Sequence, residues 1–174
     1  MKIISSVEKL KNKLFTVSDD HAADASGFEI KRFIVHHRGS AVMMAVDRKR
    51  ILLVRQYRLP AERFLWELPA GSIDPGEKPL QTAKRELKEE TGYRAKNWTK
   101  LISFFPSPGF LTEKMTIFLA TGLTSGAATP MGDERIETRW FTAQEIEAAI
   151  DSGKIQDAKT MLGYFFWKRS LSKS

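Results

Sequence analysis

The sequence predicts an α/β protein that begins with strands, and three observations carry that prediction. Residues 2–38 read as short strands. Apolar runs at Ala41–Val46 and Ile51–Val54 have a hairpin pattern. Helices are signalled at Pro79–Thr91, after Thr142, and from about Asp157 to Ser170. With 174 residues the chain can hold one domain with a sizeable core and a small appended subdomain.

Hydrophobic residues make up 42% and charged residues 28%, a globular rather than a disordered balance. The net charge of +7 suits a polyanionic partner. Lysines and arginines are spread along the chain rather than gathered in one run, so a small anionic substrate takes precedence over nucleic acid. Cysteine is absent, which excludes disulfides, thiol catalysis and cysteine–zinc sites and suits a reducing compartment. Lysines interrupt every apolar run of MKIISSVEKLKNKLF, so no signal peptide is expected there. No run of 18 apolar residues predicts a membrane span, and a cytoplasmic location is expected.

In chain order, Leu14–Val17 and Phe28–Val35 are rich in β-branched and aromatic residues, with Asp19–Gly27 a polar break between them. His36 and His37 close the second run. With no third His or Cys nearby, they read as ordinary strand-end residues. The charged stretch Asp47–Arg50 turns the hairpin. Arg55-Gln56-Tyr57-Arg58 follows, and on charge alone its arginines read as solvated. Trp66 reads as core, whereas Glu67 in an apolar run calls for a partner. Pro69 is expected to keep its strand from normal pairing, which lets the backbone of Ala70 face a metal site instead.

Leu101–Phe105 and Met115–Ala120 are strands flanking the loop Ser107–Glu113. Thr121–Met131 is a Gly/Ala/Thr/Pro loop, expected to be the most mobile segment. Gly132-Asp133-Glu134-Arg135 leads into a strand at Ile136–Phe141. Thr142 and Glu145 form a capping box for a helix to Ile150, which Gly153 ends. In the last helix Met161, Leu162, Phe165 and Phe166 read as core contacts, and Lys168–Ser174 as a basic tail.

The chain is organised around Gly71–Tyr93. Asp74-Pro75-Gly76 is a turn, Pro79 suits a first helical turn, and Gly92 suits a helix end. Between them Glu86, Glu89 and Glu90 fall within an arc of about 100°. They border the apolar stripe Leu80, Ala83, Leu87 and Thr91, while Gln81, Lys84 and Lys88 take the other side. The Glu86–Glu90 repulsion costs about 0.2–0.5 kcal/mol. Clustered carboxylates are hard oxygen ligands suited to Mg²⁺ or Mn²⁺; a solvated acidic face is the usual alternative, which the segregation from the lysines weakens.

This stretch resembles the Nudix box, Gly-x5-Glu-x7-Arg-Glu-U-x-Glu-Glu-x-Gly-U, with U a bulky apolar residue. Gly71, Glu77, Arg85, Glu86, Leu87, Glu89, Glu90 and Gly92 fill the fixed positions, and Tyr93 stands at the last U. The flanks Arg55–Arg58, Trp66–Gly71 and Ser107-Pro108-Gly109 with Glu113 resemble the ADP-ribose pyrophosphatase branch of that family. The resemblance runs from about Phe33 to Phe166. It implies a Nudix α/β/α sandwich with a mixed sheet at 39–174, and a small N-terminal β subdomain at 1–38 that exchanges between protomers of a homodimer.

The resemblance also implies site residues. Glu86, Glu90 and the Ala70 carbonyl would bind metal, with Glu89 a further ligand or a base. Arg85 would hold the box glutamates, with Glu77 as its partner. Arg58 would contact pyrophosphate, which replaces the reading on charge alone, and Arg55, Glu67 and Glu113 would lie near substrate. Two or three Mg²⁺ or Mn²⁺ ions per site are implied. The base in this branch often lies on the loop before the last strand, where two acids are commonly spaced by one residue. Asp133 and Glu134 here stand side by side, and Glu134 is the candidate base, with Glu113 and Glu89 as rivals. Phe28, Phe110 and Tyr57 are aromatic candidates for stacking on a base.

The implied reaction is metal-dependent hydrolysis of the diphosphate of ADP-ribose or a related nucleoside diphosphate sugar. Action on dinucleoside polyphosphates or capped RNA is a second reading, disfavoured by the Ser107–Gly109 loop and Glu113. A non-catalytic nucleotide-binding domain is a third, disfavoured by the intact Glu86, Glu89 and Glu90.

Overall fold

The structure is a computed structural model that describes residues 1–128 and 135–172. The chain divides into two compact units, residues 1–39 with 104–115, and residues 40–103 with 116–174. Segment 104–115 lies outside the expected N-terminal subdomain at 1–38. It joins the first unit because Val35 N–H donates to Phe110 O at 2.7 Å and Thr112 N–H donates to Val35 O at 2.9 Å. A contact 75 residues apart in the chain leaves no local sequence signal.

The first unit is an antiparallel sheet of β1 (Lys2–Lys11), β2 (Phe15–Ala23) and β3 (Glu29–His37), with β2 central. The polar break expected at Asp19–Gly27 shortens to the turn at 24–27. Asp19–Ala23 continue β2 because strands pair on both sides of them. The turn is held by Asp24 Oδ1, which accepts from Ser26 N at 2.8 Å and Phe28 N at 3.1 Å. The apolar side chains of β1, including Ile3, Ile4, Val7 and Leu10, are exposed.

The second unit contains β4 (Ser40–Asp47), β5 (Arg50–Arg58), β6 (Arg63–Glu67), β7 (Ala70–Ser72), α1 (Pro79–Thr91), all but the end residues Phe104 and Met115 of β8 (Arg94–Phe104) and β9 (Met115–Thr124), then β10 (Glu137–Thr142), α2 (Ala143–Asp151) and α3 (Ala158–Leu171). The strands form a large mixed sheet in the order β10-β5-β4-β9-β8, with β6 on β5 and β7 on β4. The α/β fold class expected from the sequence holds. β4 and β5 meet at a tight turn in which Arg48 and Lys49 take positive φ of 47° and 62°, the conformation two-residue hairpins need. β8 begins seven residues before the expected strand at Leu101, and Thr121–Thr124 extend β9 into the expected loop.

Ala41–Ala45 and Ile51–Val54 are fully buried because helices cover both faces of the sheet, which explains their unbroken apolar runs. On one face Met43, Ala45, Leu52, Phe118 and Ala120 pack with Ala83 and Leu87 of α1. On the other, α3 approaches so closely that a Cβ on Gly163 would lie 2.6 Å from Leu68 Cδ1. α3 buries Lys159, Thr160, Gly163, Tyr164 and Trp167. That corrects the expected core stripe at Phe165, which is exposed, while Met161, Leu162 and Phe166 are half-buried. The helix turns Gly163 inward together with Tyr164 and Trp167, rather than Phe165. Thr142 and Glu145 do form a capping box on α2, with Glu145 N–H donating to Thr142 Oγ1 at 3.2 Å. No helix among the described residues is long and apolar enough to cross a membrane.

Candidate active site

A loop, a helix and a short strand build the site. Glu77 N–H donates to Asp74 O at 3.0 Å and closes the turn before α1. Pro79 starts the helix, where it forfeits no hydrogen bond. Gly92 ends it at φ 74°, a left-handed conformation that side chains resist. α1 packs against β4 and β7, so its inner edge faces the sheet.

Arg85 is the hub. Its Nε and Nη2 donate to Glu77 Oε1 and Oε2 at 3.0 and 2.9 Å. Its Nη1 donates to Glu86 Oε1 at 2.6 Å and to Glu89 Oε2 at 3.0 Å. Asp74 Oδ2 lies 3.4 Å from Nη2. One guanidinium thus ties the loop to two carboxylates of the helix. The bonds from Arg85, and then that from Thr82 Oγ1 at 2.7 Å, hold Glu77 down to a pKa of about 2. The same bonds to Glu77 raise the pKa of Arg85.

Glu86 and Glu90 are only 9% and 5% exposed. A Cβ on Gly71 would fall 2.0 Å from the Glu86 Cδ, so this position needs glycine for space. β7 does pair with β4, contrary to the expected effect of Pro69. Pro69 lacks only a donor, and its carbonyl accepts from Met43 N–H at 2.9 Å. Antiparallel pairs alternate between bonded and non-bonded. Met43 and Pro69 are a bonded pair, so Ala70, opposite Val42, turns its own N–H and C=O away from β4.

Among the described residues no group of three or more His, Cys, Asp or Glu side chains forms a ready cage for a metal ion. The donor set nonetheless fits Mg²⁺. Two carboxylates with few protein ligands, completed by water and substrate phosphate, are its usual arrangement. Glu86, Glu89 and Glu90 supply hard oxygens on one edge of α1, and Gly71 seats the Glu86 carboxylate beside the Ala70 peptide.

Glu67 is 1% exposed, and it finds its partners in Arg58 and Lys159. Nε and Nη2 of Arg58 donate to Glu67 Oε1 and Oε2, both at 2.8 Å, and Lys159 Nζ donates to Oε2 at 2.5 Å. Burial pushes the Glu67 pKa up, but these cations outweigh it and the net direction is down. Its depth and its bonds place Glu67 behind Arg58, as the group that holds that guanidinium. Arg55 Nη1 donates to Glu137 Oε2 at 3.2 Å, and its guanidinium lies 4.8 Å from the Phe64 ring centroid.

Glu113 and Phe28 belong to the first unit. Glu113 Oε1 lies 3.6 Å from His37 Nδ1, and the Phe28 ring is exposed. Glu134 lies outside the described residues. Sequence reasoning missed Lys159, Asp157 and Thr160. The signal for Lys159 is a cation two residues before the apolar stretch of the last helix.

The NUDIX domain family model matches residues 35–162. An ADP-ribose pyrophosphatase of Bacillus subtilis is 38% identical over 168 residues, covering 92% of this chain and 91% of that protein. An ADP-ribose pyrophosphatase of Mycobacterium tuberculosis is 34% identical over 164 residues, covering 92% and 79%. The crystal structure of an ADP compounds hydrolase superposes with a TM-score of 0.83 over 99% of this chain and 94% of that one; at 22% identity it shows the fold.

Proposed function

The chain belongs to the Nudix family, and we propose that it hydrolyses the diphosphate bond of ADP-ribose and related nucleoside diphosphate sugars, giving a nucleoside monophosphate and a sugar phosphate. The observation that carries this reading is the Arg85 hub, which aligns Glu86 and Glu89 beside Gly71 and the outward-turned Ala70. The names of two relatives aligned over 92% of the chain support the substrate class.

The oxygen of water attacks one phosphorus, the bridging P–O bond breaks, and the second phosphate leaves with the electron pair. Glu86, Glu89, Glu90 and the Ala70 carbonyl would hold divalent cations, two or three Mg²⁺ in this reading. Bound there, the metal lowers the pKa of the water and neutralises phosphate charge. Arg85 keeps the Glu86 and Glu89 carboxylates in one orientation, so that little reorganisation is needed when charge develops. Arg58 places its guanidinium for a phosphate oxygen. The water's proton goes to a carboxylate, for which Glu134 is the candidate and Glu113 and Glu89 the rivals. Arg55 and Phe28 are proposed contacts for the nucleoside part, on the strength of a stacked guanidinium and an exposed ring.

A homodimer formed through residues 1–38 belongs to the same proposal, supported by the exposed apolar side chains of β1. A cytoplasmic site of action is proposed from the absence of cysteine.

A substrate panel with Mg²⁺ tests the reading: ADP-ribose, GDP-mannose, UDP-glucose, NADH, a diadenosine polyphosphate and dNTPs, scored by released phosphomonoester. Cleavage of ADP-ribose and the sugar nucleotides is expected. Cleavage of the polyphosphates alone would favour the second enzymatic reading, and no cleavage with any metal would favour a binding domain.

A further inference from the structure

α3 carries a cation that faces inward. Lys159 is 7% exposed, whereas Lys168 and Arg169 near the other end lie at the surface. Its Nζ donates to Glu67 Oε2 at 2.5 Å and to Asp157 Oδ1 at 2.9 Å. Glu67 in turn accepts both bonds of Arg58. The charges alternate along this path, Asp157, Lys159, Glu67, Arg58, and sum to zero. Ions at such depth persist only when each is fully paired.

The next residues on both elements already join helix to strand. Leu68 N–H donates to Thr160 Oγ1 at 2.7 Å. The Thr160 hydroxyl donates to Asp157 Oδ2 at 2.5 Å, and Gly163 packs on Leu68. Docking of α3 against the end of β6 therefore does not depend on the charge of Lys159. What Lys159 adds is a second anchor on the Glu67 carboxylate, at Oε2, beside the two bonds from Arg58. A carboxylate fixed in plane orients the guanidinium that pairs with it through two parallel bonds. Arg58 is thereby held by Nε and Nη2, and Nη1 is the donor end that its grip on Glu67 does not use. Its side chain remains 40% exposed, and it interacts electrostatically with Glu90 of α1.

We propose that Lys159 is a positioning residue for the reaction, acting through Glu67 to aim Arg58 at the substrate diphosphate. The inference rests on the function proposed above, and its test separates the two. Lys159→Met removes the ammonium and keeps the bulk. Arg58→Lys keeps a cation for Glu67 but has no planar fork to orient. The two variants, their combination and the wild type are compared on kcat/KM for ADP-ribose with Mg²⁺ and on ADP binding by calorimetry, with Tm measured for each. Lys159→Met is expected to lower kcat/KM by about 10- to 100-fold in the wild-type background. In the Arg58→Lys background it should cost less than about twofold, since coupled residues are not additive. Lys159→Arg should recover most of the loss. The ADP affinities should show the same non-additivity.

Equal losses in both backgrounds, or no loss in the first, would overturn the proposal. If Lys159→Met does not fold, Lys159→Gln takes its place under the same criterion. A wild type that binds ADP but leaves ADP-ribose intact would overturn the hydrolase reading, while the binding cycle would still decide the role of Lys159.

Discussion

Arg85 grips Glu77 through two parallel hydrogen bonds, 3.0 Å from Nε to Oε1 and 2.9 Å from Nη2 to Oε2, across the junction of loop and helix. The remaining donor, Nη1, reaches Glu86 and Glu89. The loop therefore sets the orientation of two carboxylates that lie nine and twelve residues beyond Glu77.

This pair makes stability depend on pH in a defined window. Glu77 has its pKa depressed from 4.5 to about 2 by the Arg85 bonds and then the Thr82 bond. A depressed carboxylate stabilises the fold above the unfolded value and loses that contribution as pH falls through the folded one. Thermal unfolding of the wild type and Glu77→Gln should differ most above pH 4.5 and converge as pH approaches about 2. A difference in Tm that stays constant across that range would mean that Glu77 acts without its charge.

Gly71 makes a second prediction. A Cβ there would meet the Glu86 carboxyl carbon at 2.0 Å. Gly71→Ala should displace the carboxylate, at about 1–3 kcal/mol in stability, the usual cost of overpacking. Turnover should fall on the order of 100-fold, because reactive geometry tolerates little displacement. Parallel measurements of Tm and kcat decide the matter, and a variant that loses stability but keeps kcat would detach Glu86 from the chemistry.

The proton acceptor is tested by comparing two amide variants. Glu134→Gln should lower kcat by about 10²- to 10⁴-fold, the range for a lost general base, with little change in substrate affinity. Glu113→Gln should lower kcat less. The reverse order, in single-turnover measurements, would move the role to Glu113.

The helix and its carboxylates were legible because every signal was local. Proline, glycine and the 3.6-residue period place Glu86, Glu89 and Glu90 within five residues on one edge. Arg85 and Glu77 are eight residues apart, and the fixed spacing of the box pairs them. The surroundings of Glu67 were not legible. Its need for a partner follows from burial, but Lys159 lies 92 residues away and nothing in the sequence joins the two. The face of α3 was misread for a related reason. Apolarity points to Phe165, whereas the close approach at Gly163 turns Tyr164 and Trp167 inward, and close approach belongs to the tertiary fold. The extra segment of the first unit, 104–115, is likewise added by backbone pairing with β3 and not by composition.

The central claim is that the carboxylates of α1 drive metal-dependent cleavage of ADP-ribose, and Glu90→Gln tests it most directly. The substitution keeps the shape of a buried side chain and removes one of two neighbouring negative charges, so Tm should hold or rise. The measurement is release of AMP from ADP-ribose with Mg²⁺, for the wild type, the wild type with chelator, and the variant. The account predicts turnover only in the first, with a loss of about 100-fold or more in Glu90→Gln despite native stability. Near-normal AMP release by a folded Glu90→Gln variant would contradict it.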